Sequence, residues 1–337
     1  MRILHAPTLS LLATAALLAA CSDAASTDPT GQAPAVDVGS VGSQSREPVV
    51  GADVMGVNVG WTRNEHAARE AAKAAGGGAR RSPVMTYHGG KIMTQTVSKA
   101  IFWGTSWGTY TGDKITGMDD WYTGHTGSNY AKTSDEFTGT NGSVTPNGTH
   151  QGHIIDTSAA GSGANTATIL AEVCKQVSAG NIAVDPGGNG YYPVYTDLPR
   201  GNAGYCAWHA SGTCAASGGT VLQFAFFWKL DGDAGCDPAD TSGLHSQGLA
   251  AIANVSGHEL AEARTDPSTT TATGSPGWYD GSGAENGDKC AWTFGAPLVT
   301  FSNGTQWKIQ GEWSNAAYNA GTGYPNSSGQ KGCISGL

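Results

Sequence analysis

VLQFAFFWKL, residues 221–230, and QGLAAIANVSGHELAEAR, residues 247–264, decide the fold of this chain. The first is a short, unbroken run of apolar and aromatic residues. Its length and its strand-forming side chains read as a strand buried on both faces. The second sets Leu249, Ile252, Ala253, Leu260 and Ala263 on one broad stripe at helical spacing. A strand covered on both sides needs a layer above and below it, and an amphipathic helix supplies such a layer. Outward from this pair, TVSKAIFW (residues 96–103), residues 152–156 and residues 191–195 read as further strands. MTYH (residues 85–88) is another candidate, stopped by Gly89-Gly90. Ile169, Leu170, Val173 and Val177 mark a helix over residues 164–177, and a helix starts within residues 118–122. The alternation predicts an α/β (α+β) domain with helices packed on a mixed sheet.

The amino terminus has a different character. Met1 and Arg2 precede an apolar run over residues 9–20 that is too short to span a bilayer. This is the layout of a secretory signal. It ends in Leu18-Ala19-Ala20-Cys21, which looks like a lipobox, with Cys21 acylated as the new first residue. The alternative is ordinary cleavage with Cys21 a bystander. Residues 1–20 thus read as a lipoprotein signal peptide and residues 21–82 as a flexible tether. The tether holds a short alanine-rich helix (residues 65–75), three glycines, and a dibasic Arg80-Arg81 that is either a processing site or plain linker. The globular domain occupies residues 83–337. These expectations place the chain outside the cytoplasm, lipid-anchored to a bacterial membrane.

Cysteine usage fits an oxidising compartment. Apart from Cys21, the chain has Cys174, Cys206, Cys214, Cys236, Cys290 and Cys333, an even number with no CxxC pair. A disulfide framework is the default for such a set. The local pairings are Cys206 with Cys214, and Cys290 with Cys333. A net charge of −9 without basic clusters argues against a nucleic-acid partner.

The sharpest motif is His258-Glu259-Leu260-Ala261-Glu262 on the last helix. Residues four apart on a helix project from one face, and His and Glu both bind zinc. Glu259 between them is placed to be a general base on an activated water. The pattern looks like the HExxH of zinc peptidases with Glu262 in place of the second histidine. A carboxylate there weakens the metal as a Lewis acid. The competing reading is a solvated helix face with ordinary charges. Downstream, Glu285-Asn286-Gly287-Asp288-Lys289-Cys290 offers a third ligand, Glu285 before Asp288, with the other orienting His258. The same segment also has strong turn chemistry.

From residue 85 to 333 the chain resembles the phosphate-induced protein 1, or EXORDIUM-like, family. The resembling pieces are MTYHGGKIMT, SKAIFWGTSW, GNGYYPVY, GYCAWH and FAFFW. Bacterial members are similar in GHELAEARTDP, AENGDKCAW and the closing EWSNAAY…GC. The resemblance implies an extracellular domain with a zincin-like helix.

Other residues carry weaker signals. Gly104-Thr105-Ser106-Trp107-Gly108 fits GxSxG after a strand, but residues 109–117 look like turn where a nucleophile elbow needs a helix. Its possible partners, His125, His150, His153 and His209, stand in no diagnostic setting. His88 and His209 read as structural histidines. Trp103, Trp107, Trp121, Trp208 and Trp278 form either core or a sugar-binding face. Two functions remain in view. One is a zinc-dependent hydrolase, a metallopeptidase acting on a peptide or cell-surface polymer. The other is a non-enzymatic binding module for surface glycan or protein, whose metal, if any, is structural.

Overall fold

β-Branched and aromatic residues dominate the central strands of one mixed sheet. We describe the protein from a computed structural model, over residues 58–75, 82–161, 165–268 and 273–337. The stretch read as a signal peptide, Cys21, most of the stretch read as tether and Arg80-Arg81 lie outside the described residues. The sheet comprises β1 (Asn58–Trp61), β2 (Thr96–Trp103), β3 (Gly148–Asp156), β4 (Gly190–Pro199), β5 (Tyr205–Gly212) and β6 (Leu222–Lys229). Their spatial order is β1-β5-β6-β4-β2-β3. β3, β2, β4 and β6 run parallel, β5 is antiparallel to β6, and β1 is antiparallel to β5.

Parallel neighbours need crossovers, and the helices supply them. α2 (Lys114–His125) links β2 to β3, and α3 (Thr166–Ser178) links β3 to β4. α3 covers one face through Ile169, Leu170 and Val173 against Trp208, Phe224 and Phe226. α2 and α4 (Gln247–Thr265) cover the other, packing Met118, Trp121, Leu249 and Leu260 on Ala207, Ala225 and Phe227. Each fully buried Leu, Ile, Val, Met or Phe side chain among them contributes about 1.5–3 kcal/mol relative to exposure. The first six residues of β6 are all buried, as expected for a central strand.

Two sequence expectations need correcting. The stretch read as tether contains the expected short helix, α1 (Arg63–Ala75), but before it also β1, an unforeseen edge strand of the main sheet. The eight-residue strand β5 also went unrecognised. Its Ala207, Ala210, Ser211 and Gly212 dilute the apolar signal, yet every position is buried.

The three disulfides are Cys174–Cys214, Cys206–Cys236 and Cys290–Cys333. The expected Cys206–Cys214 bridge is excluded by β5, which runs extended between the two. Eight strand residues span about 26 Å, whereas bridged Cα atoms lie about 4.4–6.8 Å apart. Cys174 on α3 instead meets Cys214, and the loop after β6 returns Cys236 to Cys206. Three disulfides point to an oxidising, extracytoplasmic environment. No described helix is long and apolar enough to cross a membrane.

Candidate metal centre

α4 begins at Ser246, whose side chain caps Leu249 N at 3.1 Å and is itself held by Asp113. From Gly248 to Thr265 every residue of α4 is buried. The reading of HExxE as a solvated charged face is therefore excluded: Glu259 and Glu262 are 0 % exposed and His258 is 3 % exposed. Charges held in the interior must be paired, neutralised or bound to an ion.

His258 and Glu262 converge as their spacing requires, with Nε2 to Oε1 at 3.1 Å. The loop contributes Asp288, whose Oδ1 lies 3.7 Å from His258 Nε2. The Asp288 backbone N–H donates to Glu262 Oε1 at 2.9 Å. Gly287 permits this approach, because a Cβ there would stand 3.0 Å from Glu262 Oε1 and 3.1 Å from His258 O. The other loop carboxylate, Glu285, faces elsewhere. Its Oε2 lies 3.6 Å from Nε2 of His209, which also stands 3.4 Å from Glu262 Oε2. The ligating atoms of His258, Glu262 and Asp288 lie within 4.8 Å of one another, and so do those of His209, Glu262 and Glu285.

His209 was read from sequence as structural, yet it lies on β5 with neither ring nitrogen hydrogen-bonded among the described residues. Its motif, YCAWHASG, gave no ligand spacing. Only the pairing of β5 beneath α4 brings it to Glu262. The loop is braced from outside. Lys289 pairs with Asp280 at 2.6 Å, Asp280 Oδ1 accepts from Ser282 and Ala284, and Cys290–Cys333 pins its end.

Glu259 Oε1 accepts from Gly60 N on β1 at 3.2 Å, and Oε2 is buried with no hydrogen-bond partner among the described residues. His258 is oriented by Gln310, a residue the sequence did not flag, rather than by a loop carboxylate. Gln310 Nε2 lies 3.0 Å from His258 Nδ1 and donates to Gly287 O at 2.9 Å.

The electrostatics are those of an overcrowded acidic interior. Burial raises Glu259, Glu285 and Asp288 above the usual carboxylate range, and neighbouring carboxylates add to this. Burial likewise pushes Asp266, at the end of α4, up to about 7. Burial would also raise Glu262, but His258 and His209 hold it low. Burial would lower His258, but Glu262 and its neighbours hold it up at about 10. A charged His258 would have to donate from Nδ1, which the Gln310 amide as oriented does not accept. A metal on Nε2 leaves the ring proton on Nδ1 and would likewise require that amide to turn over, whereas a neutral ring protonated on Nε2 accepts from the amide as it stands. Among the described residues, two sets of one histidine and two carboxylates, buried but for a partly exposed Asp288, have the donor chemistry to hold a metal ion.

The remaining candidates lie apart from this cluster. Ser106 sits on a 3-10 turn (Thr105–Thr109), with its N–H on Asp197. His150 bonds Asp119 and Ser98, His153 bonds Asp119, and His125 stacks on Trp121. His88 stacks on Tyr279. Trp103, Trp107, Trp121 and Trp208 are buried in the core, while Trp278 is partly exposed and bonds Thr138 O. A polar groove of about 480 Å³, lined by Lys91, Asn141, Gln223 and Ser268 among others, shares no lining residue with the cluster. No protein-family model, curated protein or solved structure matches this chain.

Proposed function

We propose that the chain is an extracytoplasmic metal-dependent hydrolase, with peptides or another cell-surface polymer as its substrate class. The observation that carries this reading is the division of labour on α4. His258 and Glu262 face one point together with Asp288, while Glu259 stays out of that set with one oxygen uncommitted. When bound, a divalent ion such as zinc would polarise a substrate carbonyl. Glu259 would take the proton of the attacking water and pass it to the leaving group. The zincin-like character of α4 belongs to this proposal, as does membership of the EXORDIUM-like family. So does anchoring through a lipid on Cys21, for which fatty-acid labelling of wild type but not of Cys21→Ser is the expected result.

A second reading has its own observation. His258 and Glu262 are buried while Asp288 is partly exposed, and β1 lies over the cluster: a Cβ on Gly60 would stand 2.7 Å from Glu259 Oε1 and 3.6 Å from His258 Cδ2. So enclosed a site suits a structural metal in a binding module, and hydrolysis would need wider access than the exposed edge of Asp288 gives. The two readings separate at Glu259. Purified protein is assayed for bound metal and for cleavage of a fluorogenic peptide library, beside Glu259→Gln. The hydrolase reading expects the variant to keep its metal and lose at least 100-fold in cleavage rate. Equal rates in the two proteins, or no cleavage by either, leave the structural-metal reading.

A further inference from the structure

Glu262 has two oxygens, and each belongs to a different donor set. Oε1 faces His258 and Asp288, and Oε2 faces His209 and Glu285. We propose that the centre is binuclear: Glu262 bridges two divalent metal ions, one held with His258 and Asp288, the other with His209 and Glu285. This rests on the metal-site reading above but not on catalysis.

The first argument is His209. A fully buried imidazole normally satisfies at least one ring nitrogen. His209 is 0 % exposed, with neither nitrogen hydrogen-bonded among the described residues, and its Nε2 faces two carboxylate oxygens at 3.4 and 3.6 Å. Ligands bound to one ion at about 2.0–2.2 Å stand about 3.3–3.6 Å apart in tetrahedral geometry. The spacing is thus that of donors around a common ion. Its three donors come from a strand, a helix and a loop, so the arrangement is not a by-product of local sequence. The second argument is charge. Glu259, Glu262, Glu285, Asp266 and Asp288 converge in a largely buried region with two imidazoles. One divalent ion would serve only one of the two donor sets, whereas two would give each set its own cation. The third is the bridge. A carboxylate that gives one oxygen to each ion suits the roughly 3.5–4 Å separation of two-metal sites.

The test is metal stoichiometry on the full mature chain. Protein stripped with chelator is titrated with Zn²⁺ alone, and bound metal is counted by mass spectrometry and calorimetry. Wild type is expected to bind two equivalents, and His209→Gln and His258→Gln one each, with unchanged circular dichroism. Because a buried variant can misfold, wild type is also loaded with Mn²⁺, where two bridged ions give an exchange-coupled electron paramagnetic resonance signal. One equivalent in wild type, unaffected by His209→Gln, overturns the second site and leaves the single-metal hydrolase reading standing. No bound metal overturns both. Two equivalents with Glu259-independent hydrolysis support the binuclear centre and overturn the catalytic role alone.

Discussion

The backbone N–H of Gly60 donates to Oε1 of Glu259 at 3.2 Å, across 199 residues of chain. One edge strand thereby fixes the orientation of a carboxylate on the buried central helix. β1 is short, and its register breaks between Gly60 and Trp61. It is an edge strand of the main sheet and lies against Glu259 and His258.

Gly60→Ala tests that contact. A Cβ 2.7 Å from Glu259 Oε1 forces the carboxylate or the strand to shift, a cost of about 1–3 kcal/mol for overpacking. Thermal unfolding is expected several degrees lower than wild type. An unchanged or raised midpoint means that β1 does not press on Glu259, because Gly→Ala in unstrained backbone is stabilising by about 0.4–1 kcal/mol.

Disulfide connectivity is checked by peptide mapping without reduction. The expected cross-linked peptides contain Cys174 with Cys214 and Cys206 with Cys236, and a Cys206–Cys214 peptide contradicts the sheet register. Removing Cys174 and Cys214 together opens a bridge with a sequence separation of 40. In the chain-entropy picture this costs about 4 kcal/mol, read as a lower denaturant midpoint.

The α2–β3 junction carries an acid-dependent contribution to stability. Burial alone would raise Asp119, but hydrogen bonds from His150 and His153 outweigh it and hold the carboxyl below its ordinary value. A carboxyl depressed in the folded state binds protons more readily when unfolded. Its contribution is present above the unfolded value of about 3.9 and is lost as pH falls through the lower folded value. Asp119→Asn is expected to destabilise the protein by about 1 kcal/mol near neutrality. The gap from wild type should close below about pH 4. A gap that widens on acidification contradicts this assignment.

Much of the scaffold was legible in the sequence because its elements are strongly periodic. TVSKAIFW spans β2 in full, VLQFAFFWKL contains β6, and the stripe from Leu249 to Ala263 lies on α4. The HExxE spacing brought His258 and Glu262 together, and the ENGD turn delivered both carboxylates. His209 was not legible, since a lone histidine among Ala, Ser and Gly carries no ligand signal until β5 is paired. β1 was hidden by its four-residue length and the glycine-rich chain before it. Gln310 has no motif, and its role follows from Gly287 O and His258 Nδ1 standing on either side of its amide.

The most direct test of the metal centre is anomalous diffraction at the zinc edge from crystals grown with zinc. The account predicts an anomalous peak about 2.0–2.2 Å from His258 Nε2, Glu262 Oε1 and Asp288 Oδ1, with the Gln310 amide turned so that its oxygen faces His258 Nδ1. Zinc found only at surface histidines, with His258 and Glu262 still in direct contact, contradicts it.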